Sequence, residues 1–258
     1  MDKLTLVKVG GKIVEEEQSL KQLLADFNSI SGNKVLVHGG GRSATAIAKQ
    51  LNIETKMVDG RRITDKPMLD VVTMVYAGLV NKNIVAGLQS LGCNAVGFCG
   101  ADMDIIRSVK RPVKEIDYGF VGDVVDVNTD ELRLLLDQGV TPVIAPLTHN
   151  GKGMLLNTNA DTIASELAIG LSEHFNVNLV YCFEKDGVLS NPDDDSSIIH
   201  ELDMQLYRQY KEDGTIAAGM IPKLDNAFRA LGNGVKSVVI TNANNLTKSS
   251  VKRTVVRF

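Results

Sequence analysis

Residues 34–51, KVLVHGGGRSATAIAKQL, decide the fold class. Lys34–Val37 is an apolar run of strand length, and it stops at three consecutive glycines, Gly39, Gly40 and Gly41. Ser43 can then cap a helix whose apolar face is Ala44, Ile47, Ala48 and Leu51. Strand, glycine loop and helix in that order form one unit of a parallel sheet covered by helices. The same grammar runs outward in both directions. Upstream, Leu4–Val9 is a strand that ends in Gly10-Gly11, and Ser19–Ile30 sets Leu20, Leu23, Leu24, Phe27 and Ile30 on one helical face. Downstream, Asp65 can cap a long helix, Lys66–Ser90, followed by Gly92 and a strand at Ala95–Phe98. Later strands are expected at Val140–Ala145, Val177–Phe183, Val235–Ile240 and Val251–Phe258. Helices are expected at Asn128–Gln138, Ala160–Leu171 and Pro222–Leu231. Met57–Thr64 reads as a strand pair about Asp59-Gly60, and residues 105–125 alternate like exposed hairpins. The fold class is therefore α/β: an open three-layer αβα sandwich with a mainly parallel central sheet.

Length and charge narrow the rest. The 258 residues suit one large domain or two lobes, with a boundary expected near Ser172–Asn176. At 44% hydrophobic and 23% charged residues the chain is neither disordered nor a disulfide scaffold. A net charge of −3 argues against a nucleic-acid partner. Three cysteines, Cys93, Cys99 and Cys182, show no C-x-x-C spacing, which suits a reduced, cytoplasmic setting. The longest stretch without a formal charge, Asn83–Ala101, is broken by polar residues and four glycines, so no membrane span is expected.

The two glycine loops are the strongest chemical signal. Glycine lets the backbone approach a ligand, and a helix N-terminus offers free N–H groups to an anion. Three glycines also make an ordinary tight turn. Gly39-x-Gly41-x-x-Ala44 with Asp59 further on fits a relaxed dinucleotide fingerprint. That Rossmann reading leaves Lys8, just before Gly10-Gly11, without a task. No Walker A pattern occurs. Arg61-Arg62 could grip a carboxylate or phosphate, or lie in solvent. Asp161, after Asn157-Thr158-Asn159, could cap a helix or organise cations. Lys223 falls at a helix N-terminus, where a cation is unfavourable unless it faces an anion. The four histidines have no metal spacing, and no metal ligand set is expected.

Taken in order, Lys8-Val9-Gly10-Gly11, His38-Gly39-Gly40-Gly41, Asp59-Gly60-Arg61-Arg62-Ile63-Thr64, Gly119-Phe120-Val121-Gly122, Asn157-Thr158-Asn159-Ala160-Asp161 and Gly219-Met220-Ile221-Pro222-Lys223 resemble the amino acid kinase family. Within it, they are similar to the members that phosphorylate an N-acylated glutamate. The resemblance covers nearly the whole chain. It implies an N-terminal lobe, residues 1–173, for acylglutamate and dimerisation, and a C-terminal lobe, residues 174–258, for ATP. The implied reaction is transfer of the ATP γ-phosphoryl group, with Mg2+, to the γ-carboxylate of N-acetyl-L-glutamate in arginine biosynthesis. By that resemblance Lys8 and Lys223 are the charge-stabilising catalytic residues and Asp161 orients both. The N–H groups of Gly10, Gly11, Gly40 and Gly41 hold phosphate and substrate oxygens, Arg62 clamps the α-carboxylate, and Asn157 binds near the α-amide.

Two departures stand out. Phe183-Glu184-Lys185-Asp186-Gly187 stands where the family has a Thr-Asp-Val-type segment, so the resemblance carries no nucleotide contact over to it. Arg61 stands where an apolar residue is usual, so it is a specificity candidate for an extra carboxylate, as in N-succinyl-L-glutamate. The alternatives are that substrate, another kinase of the family, a non-catalytic sensor and an NAD-binding Rossmann enzyme. Only seven residues precede Lys8, whereas arginine-inhibited family members carry an extra N-terminal helix. The expectation is a homodimer without arginine feedback, joined through the Lys66–Ser90 helix.

Overall fold

In the computed structural model the described residues are 1–58, 60–216, 219–247 and 252–258. Asp59 and Val251, which the sequence reading placed in a turn and at the start of the last strand, lie outside them. In chain order the strands are β1 (Lys3–Val9), β2 (Asn33–His38), β3 (Met57–Val58), β4 (Arg61–Arg62), β5 (Ala95–Phe98), β6 (Ile106–Lys110) and β7 (Gly122–Val127). They continue with β8 (Thr141–Ile144), β9 (Leu147–His149), β10 (Leu155–Asn157), β11 (Asn176–Phe183), β12 (Glu201–Leu202), β13 (Ser237–Asn242) and β14 (Thr254–Val256). The helices are α1 (Gly11–Glu15), α2 (Glu17–Ser29), α3 (Gly41–Gln50), α4 (Lys66–Val72), α5 (Asn81–Ser90), α6 (Thr129–Asp137), α7 (Ala160–Leu171), α8 (Met204–Glu212) and α9 (Ile221–Gly232).

Eight strands form one sheet in the order β12-β14-β13-β11-β1-β2-β8-β5. Every pairing in it is parallel except β13 with β14. Helices on both faces bury most of the inner strands, which is why those strands read as largely apolar runs. The alternation of side chains assigns each face. Leu4, Leu6, Val35, Val37, Leu179 and Tyr181 join the core under α6, α7 and α9. Val7, Val9, Leu36 and Cys182 join the opposite core, with α2, α3, α4 and α5. Lys8 has the parity of Leu4 and Leu6, so its side chain leaves the end of β1 on the α7–α9 face. His38 has the parity of Leu36 and goes to the other.

The helix expected from Lys66 to Ser90 forms over that whole span, with Asp65 capping it through the N–H of Met68 at 2.9 Å. Its centre, Thr73–Val80, winds as a π-helix between α4 and α5. By length and composition alone this helix could cross a membrane. Here Met68, Val71, Val72, Tyr76, Ile84 and Leu88 pack into the core, as in a core helix.

The hairpin texture of residues 105–125 becomes β6 and β7, which join β9 and β10 in a separate four-stranded sheet, β10-β9-β6-β7. The sequence reading missed α1, α8, β9, β10 and β12. Each is short or bounded by contacts made far along the chain. The expected cap of α3 is also corrected. Gly40 is the N-cap and Ser43 lies inside the helix, its N–H and hydroxyl both donating to Glu15 Oε1 at 2.6 and 3.0 Å. A carboxylate from α1 thus takes the capping role from 28 residues away.

Candidate active site

β1, β2 and β11 are adjacent and parallel, so their carboxyl ends open on one edge of the sheet, where open α/β folds bind ligands. The loops after β1 and β2 are interlocked. Gly39 donates its N–H to the Val9 carbonyl at 3.0 Å, and a Cβ on Gly39 would sit 3.1 Å from the Gly11 nitrogen. A Cβ on Gly40 would meet the ring of Tyr76 at 2.9 Å, so only glycine lets the loop lie flat on that buried tyrosine.

Among the described residues, the N–H groups of Gly11, Gly40 and Gly41 have no acceptor. They open α1 and α3, and the nitrogens of Gly40 and Gly41 both lie 3.6 Å from a Cβ built on Gly11. They form a shared donor cluster suited to an anion. Gly10 differs from the expectation. Its N–H donates to the Cys182 carbonyl at 3.2 Å, so the neighbouring strand has already taken the donor that was expected to hold phosphate. Its role is steric.

The side chains of Lys8, Asp161 and Lys223 meet, although they are far apart in sequence. Lys8 Nζ lies 2.7 Å from Asp161 Oδ1, and Lys223 Nζ 3.9 Å from Asp161 Oδ2. The short contact is a close ion pair between two buried groups. Asp161 does not cap α7. Asn159 does, accepting from the N–H groups of Asp161 and Thr162 at 2.8 and 3.2 Å. That frees the aspartate for the lysines, while the positive end of α7 favours its charge. Lys223 sits in the first turn of α9 behind Pro222 and reaches back to the Gly219 carbonyl at 3.4 Å. Two cations and one anion leave one positive charge uncancelled at this point.

Arg62 is 9% exposed. Its guanidinium donates to the Gly41 carbonyl at 2.7 Å, to Thr45 Oγ1 at 2.9 Å and to Thr55 Oγ1 at 3.4 Å. No carboxylate lies within ion-pair distance of it among the described residues. A buried cation with neutral partners only is arranged for an anion that comes from outside. Arg61 follows the alternation of the strand. It is exposed and lines a separate surface cavity of about 630 Å³ with Arg111, Lys114, Tyr118 and Asp123. Adjacent strand residues face opposite sides, so the two arginines do not converge on one ligand group.

Asn157 Nδ2 donates to Thr64 Oγ1 at 2.9 Å, and the Asn157 N–H to the Phe120 carbonyl at 2.9 Å. Gly119, at φ +71°, lies against Thr64, where any Cβ would overlap the Thr64 carbonyl oxygen. Three motifs separated by some 90 residues are thereby brought to one place.

His38 is fully buried, and burial lowers its pKa from 6.5 to about 4, opposed by the Gly39 carbonyl contact at 2.7 Å and helped by the Lys82 charge. Asn81 Nδ2 lies 3.1 Å from its Nε2 and also donates to the Val143 carbonyl. The neutral tautomer with the proton on Nδ1 satisfies both contacts and fixes the Gly39 carbonyl. The unfolded chain binds a proton that the folded chain refuses between about pH 6.5 and 4. This contribution to stability is therefore complete above pH 6.5 and is lost as pH falls through that window, about 3 kcal/mol in all. Thermal melts at pH 7 and pH 4.5 should show a larger loss for the native chain than for His38→Gln. Equal losses would contradict the assignment.

Burial pushes the Cys182 thiol up to about 12, and Cys93 is also buried. Sequence reasoning missed Tyr76, Glu15 and the placement of Phe183. Lys8 and Lys223 Nζ each lie 5.0 Å from the Phe183 ring centroid. The available signal was that Phe183 ends a buried strand beside the expected phosphate loop.

A three-layer α/β sheet whose parallel edge presents free loop amides and a lysine–aspartate–lysine group has the equipment of a phosphotransferase that needs no general base. The chain belongs to the amino acid kinase family, whose model matches residues 3–242. It is 66% identical over 242 residues to the acetylglutamate kinase of Bacteroides thetaiotaomicron, covering 94% of each chain. It is 63% identical over 246 residues to that of Parabacteroides distasonis, covering 95% of this chain and 96% of the relative. Among solved structures, carbamate kinase from Giardia lamblia bound to AMP-PNP superposes with a TM-score of 0.75 at 15% identity, covering 99% of each chain, which shows the shared fold.

Proposed function

We propose that the chain transfers the γ-phosphoryl group of ATP to the γ-carboxylate of N-acetyl-L-glutamate, an acyl-phosphate-forming step of arginine biosynthesis. The observation that carries this reading is the buried Arg62 without a counterion, seated against the same glycine loop whose N–H groups are free. One end of an acidic substrate is gripped there, and the lysine–aspartate–lysine group waits at the end of β1. The relatives named acetylglutamate kinase match over nearly their full length, which supports the same substrate here.

The carboxylate is already a nucleophile, so the chain's task is placement and charge stabilisation. Lys8 and Lys223 would bind oxygens of the transferring group from two sides. Asp161 would hold both lysines in place. Gly11, Gly40 and Gly41 would donate N–H groups to phosphate and carboxylate oxygens, Arg62 would take the α-carboxylate, and Asn157 the region of the α-amide. Asp161 is committed to two cations and is a poor partner for a third. Magnesium would therefore enter on the ATP phosphates, where it neutralises their charge.

In this reading residues 1–173 bind acylglutamate and residues 174–258 bind ATP, with β1 and β11 paired at the seam. The setting is cytoplasmic, in keeping with three free thiols. The assembly is a homodimer through the long helix, where Met74 and Leu79 are 55% and 50% exposed. Light scattering should give twice the chain mass, and Met74→Glu with Leu79→Glu should halve it; a monomeric native protein would rule this out.

Hydroxylamine traps an acyl phosphate as a coloured hydroxamate. The reading requires ATP-dependent hydroxamate with N-acetyl-L-glutamate at a kcat/KM well above that with glutamate, aspartate or carbamate. No product from N-acetyl-L-glutamate would overturn it.

A further inference from the structure

We propose that Phe183 is a positioning residue for phosphoryl transfer, a shared aromatic platform that holds the Lys8 and Lys223 ammonium groups at their working separation. The proposal rests on the reading that these two lysines stabilise the transferring group. Four observations support it. Both ammonium nitrogens lie 5.0 Å from the centroid of this one ring. Phe183 has the strand parity of Leu179 and Tyr181, so it leaves β11 on the same face as Lys8. Tyr181 stacks beneath it, with centroids 6.1 Å apart and planes 4° from parallel, and the Tyr181 hydroxyl donates to the Asp161 carbonyl at 3.2 Å. A Cβ on Gly10 would lie 3.9 Å from Phe183 Cδ1, so the ring also borders the first glycine loop.

The electrostatics explain why a ring suits this place. Two like charges that share one carboxylate repel each other, and Lys223 is held at only 3.9 Å from Asp161. A second carboxylate would gather the lysines, but it would cancel the charge that a phosphoryl group needs and would repel its oxygens. The face of a phenyl ring attracts cations through its quadrupole and carries no net charge. It can restrain both lysines without neutralising either. Because the ring's charged neighbours are the two lysines and Arg62 makes its contacts at the other glycine loop, its loss should act on kcat and leave substrate binding alone.

The fluorinated variants nearly keep the volume of the side chain and change its electrons, and the natural substitutions remove or restore an aromatic face. Phe183 is replaced by 4-fluoro-, 3,5-difluoro- and 3,4,5-trifluorophenylalanine, and by Leu, Tyr and Trp. In the full-length enzyme kcat should fall stepwise along the fluorinated series. It should drop about tenfold in Phe183→Leu and recover in Phe183→Tyr or Phe183→Trp, while the KM for N-acetyl-L-glutamate holds. A merely structural ring predicts a flat fluorinated series, and that result overturns the proposal. Lys8→Met measured alongside separates the two levels. If Lys8→Met is inactive and the series is flat, the platform alone is wrong. If Lys8→Met turns over normally, the role of the lysines is wrong.

Discussion

Replacing Lys8 with methionine should lower kcat by about two to three orders of magnitude and leave the KM for N-acetyl-L-glutamate within a few-fold of the native value. The size follows from the effect of deleting one well-placed donor to developing negative charge. The split between kcat and KM follows from when the interaction counts, since charge on the transferring group matters most in the transition state. Lys223→Met should behave alike. The stability of the two variants should differ, however. Lys8 is the close partner of a buried carboxylate, and without it Asp161 faces only Lys223 at 3.9 Å. Removing one member of a buried pair strands the other, at a cost of about 3 kcal/mol or more. Lys8→Met should therefore melt well below the native protein, and Lys8→Met with Asp161→Asn should regain stability without activity. Lys223 is more exposed, so Lys223→Met should lose activity with little change in melting. A kcat within tenfold of native for either single variant would remove that lysine from the mechanism.

What the sequence made legible depended on whether the signal was local. The β1 run into Gly10-Gly11 and the β2 run into Gly39-Gly40-Gly41 were visible because period and punctuation coincide within ten residues. Asp65 was visible as a cap for the same reason. The cap of α3 was not, because its acceptor, Glu15, belongs to a different helix and no spacing rule ties it to Ser43. Gly10 shows a second limit. A glycine loop announces that amides are near a ligand, yet only the neighbouring strand decides which amide is free. Cys182 takes the hydrogen bond of Gly10 and leaves that of Gly11. Lys8, Asp161 and Lys223 were each marked by residue type and position, but their convergence required the parity of β1 and the packing of α7 and α9 on one face. Phe183 registered only as a departure from a family pattern. Its place beneath two ammonium groups comes from strand register, which a single sequence does not display.

Replacing Arg62 with alanine should raise the KM for N-acetyl-L-glutamate by about a hundredfold or more, since the proposed role gives it a charge-assisted, forked contact to the substrate. Its effect on the free protein should be much smaller than that of most core deletions. The residue is 9% exposed, and its guanidinium has three oxygen acceptors, Gly41 carbonyl, Thr45 Oγ1 and Thr55 Oγ1, none of them charged. Without substrate the fold carries the desolvation cost of a cation that nothing neutralises. Truncation removes that cost along with three hydrogen bonds, so the melting temperature of the free variant should stay near the native value. Bound substrate should separate the two proteins. A ligand at a hundred times its dissociation constant stabilises by about 2.7 kcal/mol, and the same concentration should barely move Arg62→Ala. Arg62→Lys should fail as well, because one ammonium cannot reproduce two parallel N–H donors. Thermal shift with and without N-acetyl-L-glutamate, read beside the KM, tests each part. A variant that melts far below the native protein when free would mark Arg62 as a structural residue. One that keeps its substrate-induced shift would show that the α-carboxylate is held elsewhere.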